Sequence, residues 1–503
     1  MTAVSTESQQ GSRCDAGSGV PPEVASFYHL AAGDVRQCAC QGLACFVARH
    51  SNPHRWQEAT CQTARVYCLG KCFAAPAHGA EDVRPACHVD AREAIVLRRI
   101  MKGGARTIDA YRRDGGYKSL EEALRRSPEV VVQAVEVSGL RGRGGAAFPT
   151  GRKWRATAQQ GQTPKYVVAN ADEGDAGAYI DRFILEDDPH CIVEGMLIAA
   201  HAVGASRGYI YLRCEYPAAR VVLENAIAEA RSAGLLGPHI LGSQLSFDID
   251  LHVGQGSYVC GEETALLRSI EGQRPYAMAR PPYASEAGLF GMPTVINNVE
   301  TLASIPWIVG HGGEAYHEMG LAKSRGTKVL SLNSLFNRPG LYEVELGISV
   351  RRIVEDLGGG VKNGTLKGLI IGGPLAGVIP PHLLDTPLGF EELRAIGASV
   401  GHGGVVAFDE STSIAQLVRH VFAFGGDESC GKCIPCRLGS RRIERMFDHL
   451  VAGRHVAAEE RQEYWEIIEA LAATSLCGLG GGLAEFAQSI ARHYRAELDA
   501  CFA

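Results

Sequence analysis

No run in the 503-residue sequence is long and apolar enough to cross a bilayer. The nearest, "IVEGMLIAAHAVGA", is interrupted by Glu194 and falls short of the roughly 20 residues that a spanning helix needs. The opening stretch, "MTAVSTESQQGSRCDAGSGV", has neither the basic start nor the apolar core of a secretory leader, so a cytoplasmic chain is expected. Positive charge is not in excess either: 50 Lys and Arg stand against 56 Asp and Glu, a formal net charge of −6. That balance excludes a nucleic-acid footprint and a polybasic membrane patch. No internal repeat, Ser–His–Asp arrangement or zinc-protease pattern occurs, and no ligand set for molybdenum, tungsten or nickel.

What the sequence holds in quantity is cysteine, 16 residues in all. In a reducing compartment these are not structural disulfides, and their clustering points to two cofactors. In "ESCGKCIPCRLGS" (428–440), Cys430, Cys433 and Cys436 recur at every third position, with Gly431 and Pro435 helping the loop to wrap. Cys477, in "SLCGLGGG", is the obvious fourth member. Three thiolates on one loop can cap three corners of a cubane [4Fe–4S] cluster, and a distant one can hold the last iron. Zinc also accepts four thiolates, but its sites space them in two pairs. A metal-free cluster would leave neighbouring thiols open to oxidation. The spacing favours iron–sulfur.

Between the cysteine groups the pattern alternates. "KYVVAN" and "GYIYLR" read as short strands, each followed by a longer helical stretch, and "DIDLHV" reads as a half-exposed strand. Such alternation predicts a multidomain α/β architecture with a largely parallel sheet. Ser119 with Glu122 has the form of a capping box, and Ser127 before Pro128 marks another helix start. "KVLSLNSLFNRPGLYEVELG" predicts a small β unit with a turn at its Arg-Pro-Gly, and from about residue 412 the periodicity is helical.

Three segments between the cysteine groups suggest ligand chemistry. "GLRGRGGAAFPTGRKW" (139–154) sets glycines beside Arg143 and Lys153, which suits an anion, although a surface loop would look the same. As a dinucleotide fingerprint it is poor, because Pro149 interrupts the helix that such a motif opens. In "YVVANADEGDAGAYIDR", Asp172, Glu173 and Asp175 follow a strand ending in Asn170, where open α/β sheets bind ligands; a solvated turn is the plainer reading. In "GQGSYVCGEETALLRSIEG", Glu262 and Glu263 stand at a helix start, where carboxylates also complement the macrodipole. Cys260 in that segment reads as a buried small residue.

Taken in order, "GRGGAAFPTGRKW", "NADEGD", "YVCGEETALLRSIEG", "RPPYASEAGLFGMPTVINNVETL" and "ESCGKCIPCRLGS…SLCGLG" resemble one family. It is the flavoprotein subunit shared by respiratory complex I, NAD-reducing hydrogenases and NAD-dependent molybdenum or tungsten formate dehydrogenases. The resemblance runs from about residue 105 to the end. It implies FMN near Gly142, Arg143, Gly144 and Lys153, with Asn170, Asp172, Glu173, Tyr258, Gly261, Glu262, Glu263, Asn297 and Asn298 completing the flavin site. NAD(H) would stack over the flavin with Phe148 near the adenine, Arg280 and Tyr283 standing for the family's Lys and Phe. Asp175 and Glu263 would orient nicotinamide or ribose groups. Ala156 replaces an expected aromatic, and Asp175 a residue that is usually Glu in complex I. "DEGDAG", "GGPLAGVIPP" and "GHGGVVAFD" look closer to the formate dehydrogenase branch.

Cys40 and Cys45, with four residues between them, and Cys68 and Cys72, with three between them, resemble the thioredoxin-like [2Fe–2S] domain that accompanies this flavoprotein. Two thiolate pairs suit a two-iron rhomb, one pair per iron. Cys38 and Cys61 lie among them, and a zinc site or a domain without a cluster are the alternatives. The implied organisation is a disordered tail (1–20), a thioredoxin-like domain (21–105), a Rossmann-like FMN/NAD(H) domain (106–320), a β-grasp insert (321–400) and a helical [4Fe–4S] domain (401–503). The implied activity is hydride exchange between NAD(H) and FMN, with single electrons passing through the clusters. Implied partners are a separate catalytic subunit, that of a formate dehydrogenase first, and a small [2Fe–2S] subunit.

Overall fold

Two three-residue strands, β1 (Cys38–Cys40) and β2 (Ala64–Val66), pair in parallel at the start of the computed structural model, which describes residues 35–49, 64–454 and 456–502. The expected tail at 1–20 and Cys61 lie outside those residues. The next strand, β3 (Ala86–Asp90), leaves this unit and pairs with a strand far along the chain.

The predicted parallel sheet follows. β4 (Tyr166–Ala171), β5 (Arg207–Leu212), β6 (Asp248–Val253) and β7 (Thr294–Asn298) lie in the order β6-β5-β4-β7, every pair parallel. The β-branched and aromatic residues of β4 and β5 fit the two-sided burial of central strands, while β6, on an edge, is largely half-buried. The apolar stretch noted above becomes the helix Pro189–Val203, buried along nearly its whole length against the helix Val299–His311. A helix apolar on every side is a core helix, and this one supports the sheet from below.

After a small hairpin, β8 (Gly320–Leu321) with β9 (Ser324–Arg325), come β10 (Thr327–Leu332), β11 (Gly340–Glu345), β12 (Leu366–Ile371), β13 (Val378–Ile379) and β14 (Gly404–Asp409). They form a six-stranded sheet with β3, in the order β13-β12-β14-β10-β11-β3. The insert sheet thus reaches beyond the 321–400 interval: β3 comes from the amino-terminal unit, and β14 leads into the helical domain. Four longer helices, Ile414–Asp427, Ser440–Val451, Ala458–Thr474 and Gly478–His493, close the chain with the shorter Arg495–Cys501.

Buried carboxylates cap backbone segments from a distance. The Ser119/Glu122 capping box does not form. The helix starts at Lys118, and the free N–H groups of Tyr117 and Leu120 donate to Glu194, 3.0 and 2.9 Å away, on the buried helix. Glu122 instead pairs with Arg126. Ser127 does stand at the N-cap of Pro128–Val137, without a side-chain bond. Glu343 of β11, fully buried, accepts from the N–H groups of Ile95, Val96 and Leu97 at 2.8–3.1 Å and from Thr327 at 2.7 Å. Glu343→Ala would orphan those donors, at a cost of about 3–5 kcal/mol. The expected outcome is a clearly lower thermal midpoint for Glu343→Ala and a smaller loss for Glu343→Gln, followed by scanning fluorimetry.

Candidate functional site

At the carboxyl end of β4 the chain turns through Ala171–Asp175 into a cavity of about 650 Å³. Its wall combines the glycine loop (Gly144, Gly145), the acidic turn (Glu173 to Asp175), residues 258–262, Asn298 after β7, the insert loops around Gly372 and Gly401, and the first turns of the helix Gly478–His493. The volume lies in the range of small-molecule and cofactor pockets. Glycine at 144 is a packing requirement: a Cβ there would lie 2.9 Å from that of Asn298.

The acidic turn is held from behind. Glu173, at φ +26°, accepts from the N–H groups of Ile180, Asp181 and Arg182 at 2.5, 2.9 and 3.0 Å and from the Tyr216 hydroxyl at 3.0 Å, capping the helix Ile180–Asp187. Its carboxylate is a structural cap that also borders the cavity. Asn170 donates to the Gly261 carbonyl at 2.8 Å and accepts from the Asp172 N–H at 3.1 Å, tying the turn to residues 258–262. The Tyr258 hydroxyl donates to Asp175 at 2.9 Å; burial raises the Asp175 carboxyl, and His402, Tyr258 and Arg213 oppose it. Asn298 caps the helix Val299–His311 through the N–H groups of Glu300 and Thr301, and its amide donates to Asp181 at 2.5 Å.

Gly144, Asn170, Glu173, Asp175, Tyr258, Gly261, Glu262 and Asn298 therefore converge on one wall. Glu262 caps the helix Glu263–Ile270, and behind it lies an ionic group: Arg280 bridges Glu262 and Glu263 at 2.7 and 2.8 Å, and Lys153 stands 3.5 Å from Glu263. Lys153 also donates to the Ile296 carbonyl at 3.1 Å, so its ammonium is engaged within the sheet edge and lies outside the wall. Gly142 closes the glycine loop by donating to the Phe148 carbonyl, while the Phe148 ring is exposed, as is Tyr283. Asn297 accepts from the Trp154 indole at 2.8 Å. Arg143 is not brought to the cavity: its guanidinium is fully buried and donates to the Tyr316 hydroxyl and the Arg325 carbonyl. Asp172 faces a second, smaller cavity of about 380 Å³, and burial pushes its carboxyl well above the carboxylate range. Its Oδ2 has no protein partner, leaving an acceptor or donor for a ligand. Cys260 is a buried thiol, as expected. His402 and Asp181 carry no linear signal that joins them in the sequence, because they meet only across two domains.

The carboxyl-terminal thiols converge at the same place. Cys477 is the N-cap of Gly478–His493 and lines the large cavity. Gly480, one turn on, has room for no side chain against Ser475, with Cys436 behind it. The Leu476 N–H points to the Cys433 sulfur at 3.5 Å, and burial together with Cys430 and Cys436 pushes the Cys477 thiol up to about 11. Three thiols on one short loop, with a fourth at the start of a helix that packs beside them, are a donor set that fits a cubane, one thiolate to each iron.

In the amino-terminal unit the thiols stand as two pairs. Cys68 and Cys72 lie 3.9 Å apart, Cys40 and Cys45 share a thiol hydrogen bond, and all four are buried. The Cys72 thiol and Arg213 hold Cys68 down to about 6 against its burial. Cys38 packs in the same small apolar cluster as Cys40 and Cys45.

Comparison with known proteins identifies two domains. Residues 135–307 match the Nuo51 FMN-binding domain, and residues 416–501 the NADH-ubiquinone oxidoreductase-F iron–sulfur binding region. The chain is 42% identical over 398 residues to the HndC subunit of the NADP-reducing hydrogenase of Solidesulfovibrio fructosivorans, covering 78% of this chain and 81% of that one. It is 41% identical over 410 residues to the F 2 subunit of the NADH-quinone oxidoreductase of Rhizobium meliloti (strain 1021), covering 81% and 97%. A chain of the NAD+-reducing [NiFe]-hydrogenase, solved in the H2-reduced state, superposes with a TM-score of 0.81 at 29% identity, over 96% of this chain and 87% of that one. The glycine-lined cavity at the sheet's carboxyl edge fits FMN, the four carboxyl-terminal thiols fit [4Fe–4S], and the chain belongs to the family of FMN-binding, iron–sulfur subunits of NADH-quinone oxidoreductases.

Proposed function

We propose that this chain is the diaphorase subunit of an NAD-dependent molybdenum or tungsten formate dehydrogenase, exchanging hydride between NAD(H) and FMN and single electrons with a partner subunit. The observation that carries the diaphorase reading is that Cys477 lines the same cavity as Asn170, Asp175 and Glu262, which sets the nucleotide site and the iron–sulfur site wall to wall. The formate branch rests on "DEGDAG", "GGPLAGVIPP" and "GHGGVVAFD", segments that all reach that cavity. FMN, when bound, supplies the junction between the paired electrons of a hydride and the single electrons that a cluster accepts.

Within this reading the chain's residues divide the work. Gly144 lets the backbone approach the flavin closely, Asn170 and Asn298 hold the strand ends that frame it, and Asp175 and Glu263 orient the nicotinamide or ribose. Arg280 fixes Glu262 and Glu263, and Phe148 and Tyr283, both exposed beyond the wall, are free to stack on an incoming dinucleotide. The two amino-terminal thiol pairs would hold a [2Fe–2S] rhomb, since the 3.9 Å between Cys68 and Cys72 matches two thiolates on one iron. A second reading, the diaphorase of an NAD(P)-reducing hydrogenase, is favoured by the superposition over nearly the whole chain.

Purification of the native complex separates these readings. Molybdenum or tungsten with formate-driven NAD+ reduction is the expected result; nickel with hydrogen-driven reduction would establish the hydrogenase reading. In the isolated chain we expect about six irons per FMN, falling to about two in Cys433→Ser and to about four in Cys68→Ser, measured by iron and acid-labile sulfide assay with EPR. Tyr258→Phe removes the hydroxyl that favours the ionised Asp175, so the carboxyl should rise further. The acid limb of kcat/KM for NADH should then move up by about one pH unit, as a lost hydrogen bond to a charged group implies.

A further inference from the structure

Behind the acidic turn, the His402 imidazole is wedged between two carboxylates. Its Nε2 lies 3.1 Å from Asp181 and 3.5 Å from Glu173, and all three residues are buried. Each of the two carboxylates is committed to the cavity wall. Glu173 caps the helix Ile180–Asp187 and holds the turn that carries Asp175. Asp181 accepts from Asn298, against which Gly144 is packed. His402 itself comes from the loop Gly401–Gly403 that enters β14, so the acidic turn meets that loop at the ring, and Asn298 and Gly144 are linked to it through Asp181.

Two buried carboxylates this close cannot both stay ionised without a cation, because like charges at a shared site drive one to take up a proton. A metal ion is a poor candidate for that cation: the Glu173 oxygens already accept three N–H groups and a hydroxyl. We propose that His402 is a charged positioning residue of the flavin site, its imidazolium keeping Glu173 and Asp181 both ionised and thereby fixing the acidic turn and Asn298 around the bound flavin. The proposal rests on the FMN reading of the cavity.

Burial and the neighbouring Asp181 push the Glu173 carboxyl up, and His402 with the N–H groups of Asp181 and Arg182 opposes that rise. Asp181 and Glu173, the groups facing the ring from the helix and the turn, together raise His402 to about 9 against the opposing effects of burial and of Lys328 on β10. Lys328 is itself paired with Glu300, and Asp175 faces His402 from the far side of the turn. The sign follows. A histidine whose folded value is raised contributes fully below its ordinary value of 6.5, and that contribution is lost as pH rises from there through about 9.

The test uses the full chain reconstituted with FMN. His402→Gln keeps a donor near the Nε2 position but removes the charge. We expect an additional protonated-carboxyl infrared band at neutral pH in His402→Gln, over the native spectrum to which Asp172 already contributes, and FMN binding roughly tenfold weaker. In the native protein, the FMN dissociation constant should stay flat below pH 8 and rise as pH passes through about 9. If His402→Gln does not fold, the native pH profile decides alone. Native protein that binds FMN with a flat profile, or a His402→Gln variant with native affinity and no added carboxyl band, overturns the role of His402 while leaving the flavin reading intact. Native protein that takes up no FMN overturns both.

Discussion

One carboxylate holds the site together. Glu173 sits at φ +26°, a conformation costly for any residue with a side chain, and persists there because three helix N–H groups and a hydroxyl converge on it. Released from those donors, the turn would relax and carry Asp172 and Asp175 with it, one from the wall of each cavity. The strain is local, its compensation comes from the helix Ile180–Asp187, and the outcome is a set of carboxylates held at a sheet's carboxyl edge. In an open parallel sheet that edge is where ligands bind.

The same device recurs wherever two parts of the chain must be joined. Glu194 caps the helix at 118 from the core helix, Glu300 binds Lys328 and the Val329 N–H across to the second sheet, and Glu343 ties the segment at 95–97 to β11. Each buried carboxylate is costly alone and is stabilised by more than one donor at once, a backbone N–H always among them. Because the donors lie far away in sequence, each such residue locks an interface between units as well as a helix end.

This explains what is legible in the chain alone and what is not. The strands β4, β5 and β6 follow from short-range pattern, and so does the helix start at Glu262, because β-branched runs and capping residues act over a few neighbours. The spacing of Cys430, Cys433 and Cys436 declares a cluster for the same reason. The capping of the helix at 118 is hidden, since the local Ser119 signal is overridden by Glu194 about 75 residues away. Arg143, basic and beside glycines, has the local marks of an anion ligand, yet its partners Tyr316 and Arg325 lie in a later part of the chain and take it inward. The extent of the second sheet is hidden too: β3 and β14 lie outside the predicted β unit, and only tertiary pairing places them beside β11 and β10.

Adjacency follows from the same folding. Tyr258 and Gly174 line both cavities, and Asp172 stands behind them with an unpartnered oxygen. The larger cavity ends on Cys477 and the smaller on Cys68, so the two thiol groups approach the same short stretch of acidic turn from opposite sides. The aromatic rings of Tyr67, Phe424 and Tyr258 fill the space between, with centroids 5.0 and 5.1 Å apart. These contacts belong to three units that are separate in sequence: the amino-terminal thiols, the parallel sheet and the helical domain. A change that loosens the packing of Phe424 would therefore be felt at both thiol groups and at the larger cavity together, because the packing of these units, and no single motif, sets the distances between them.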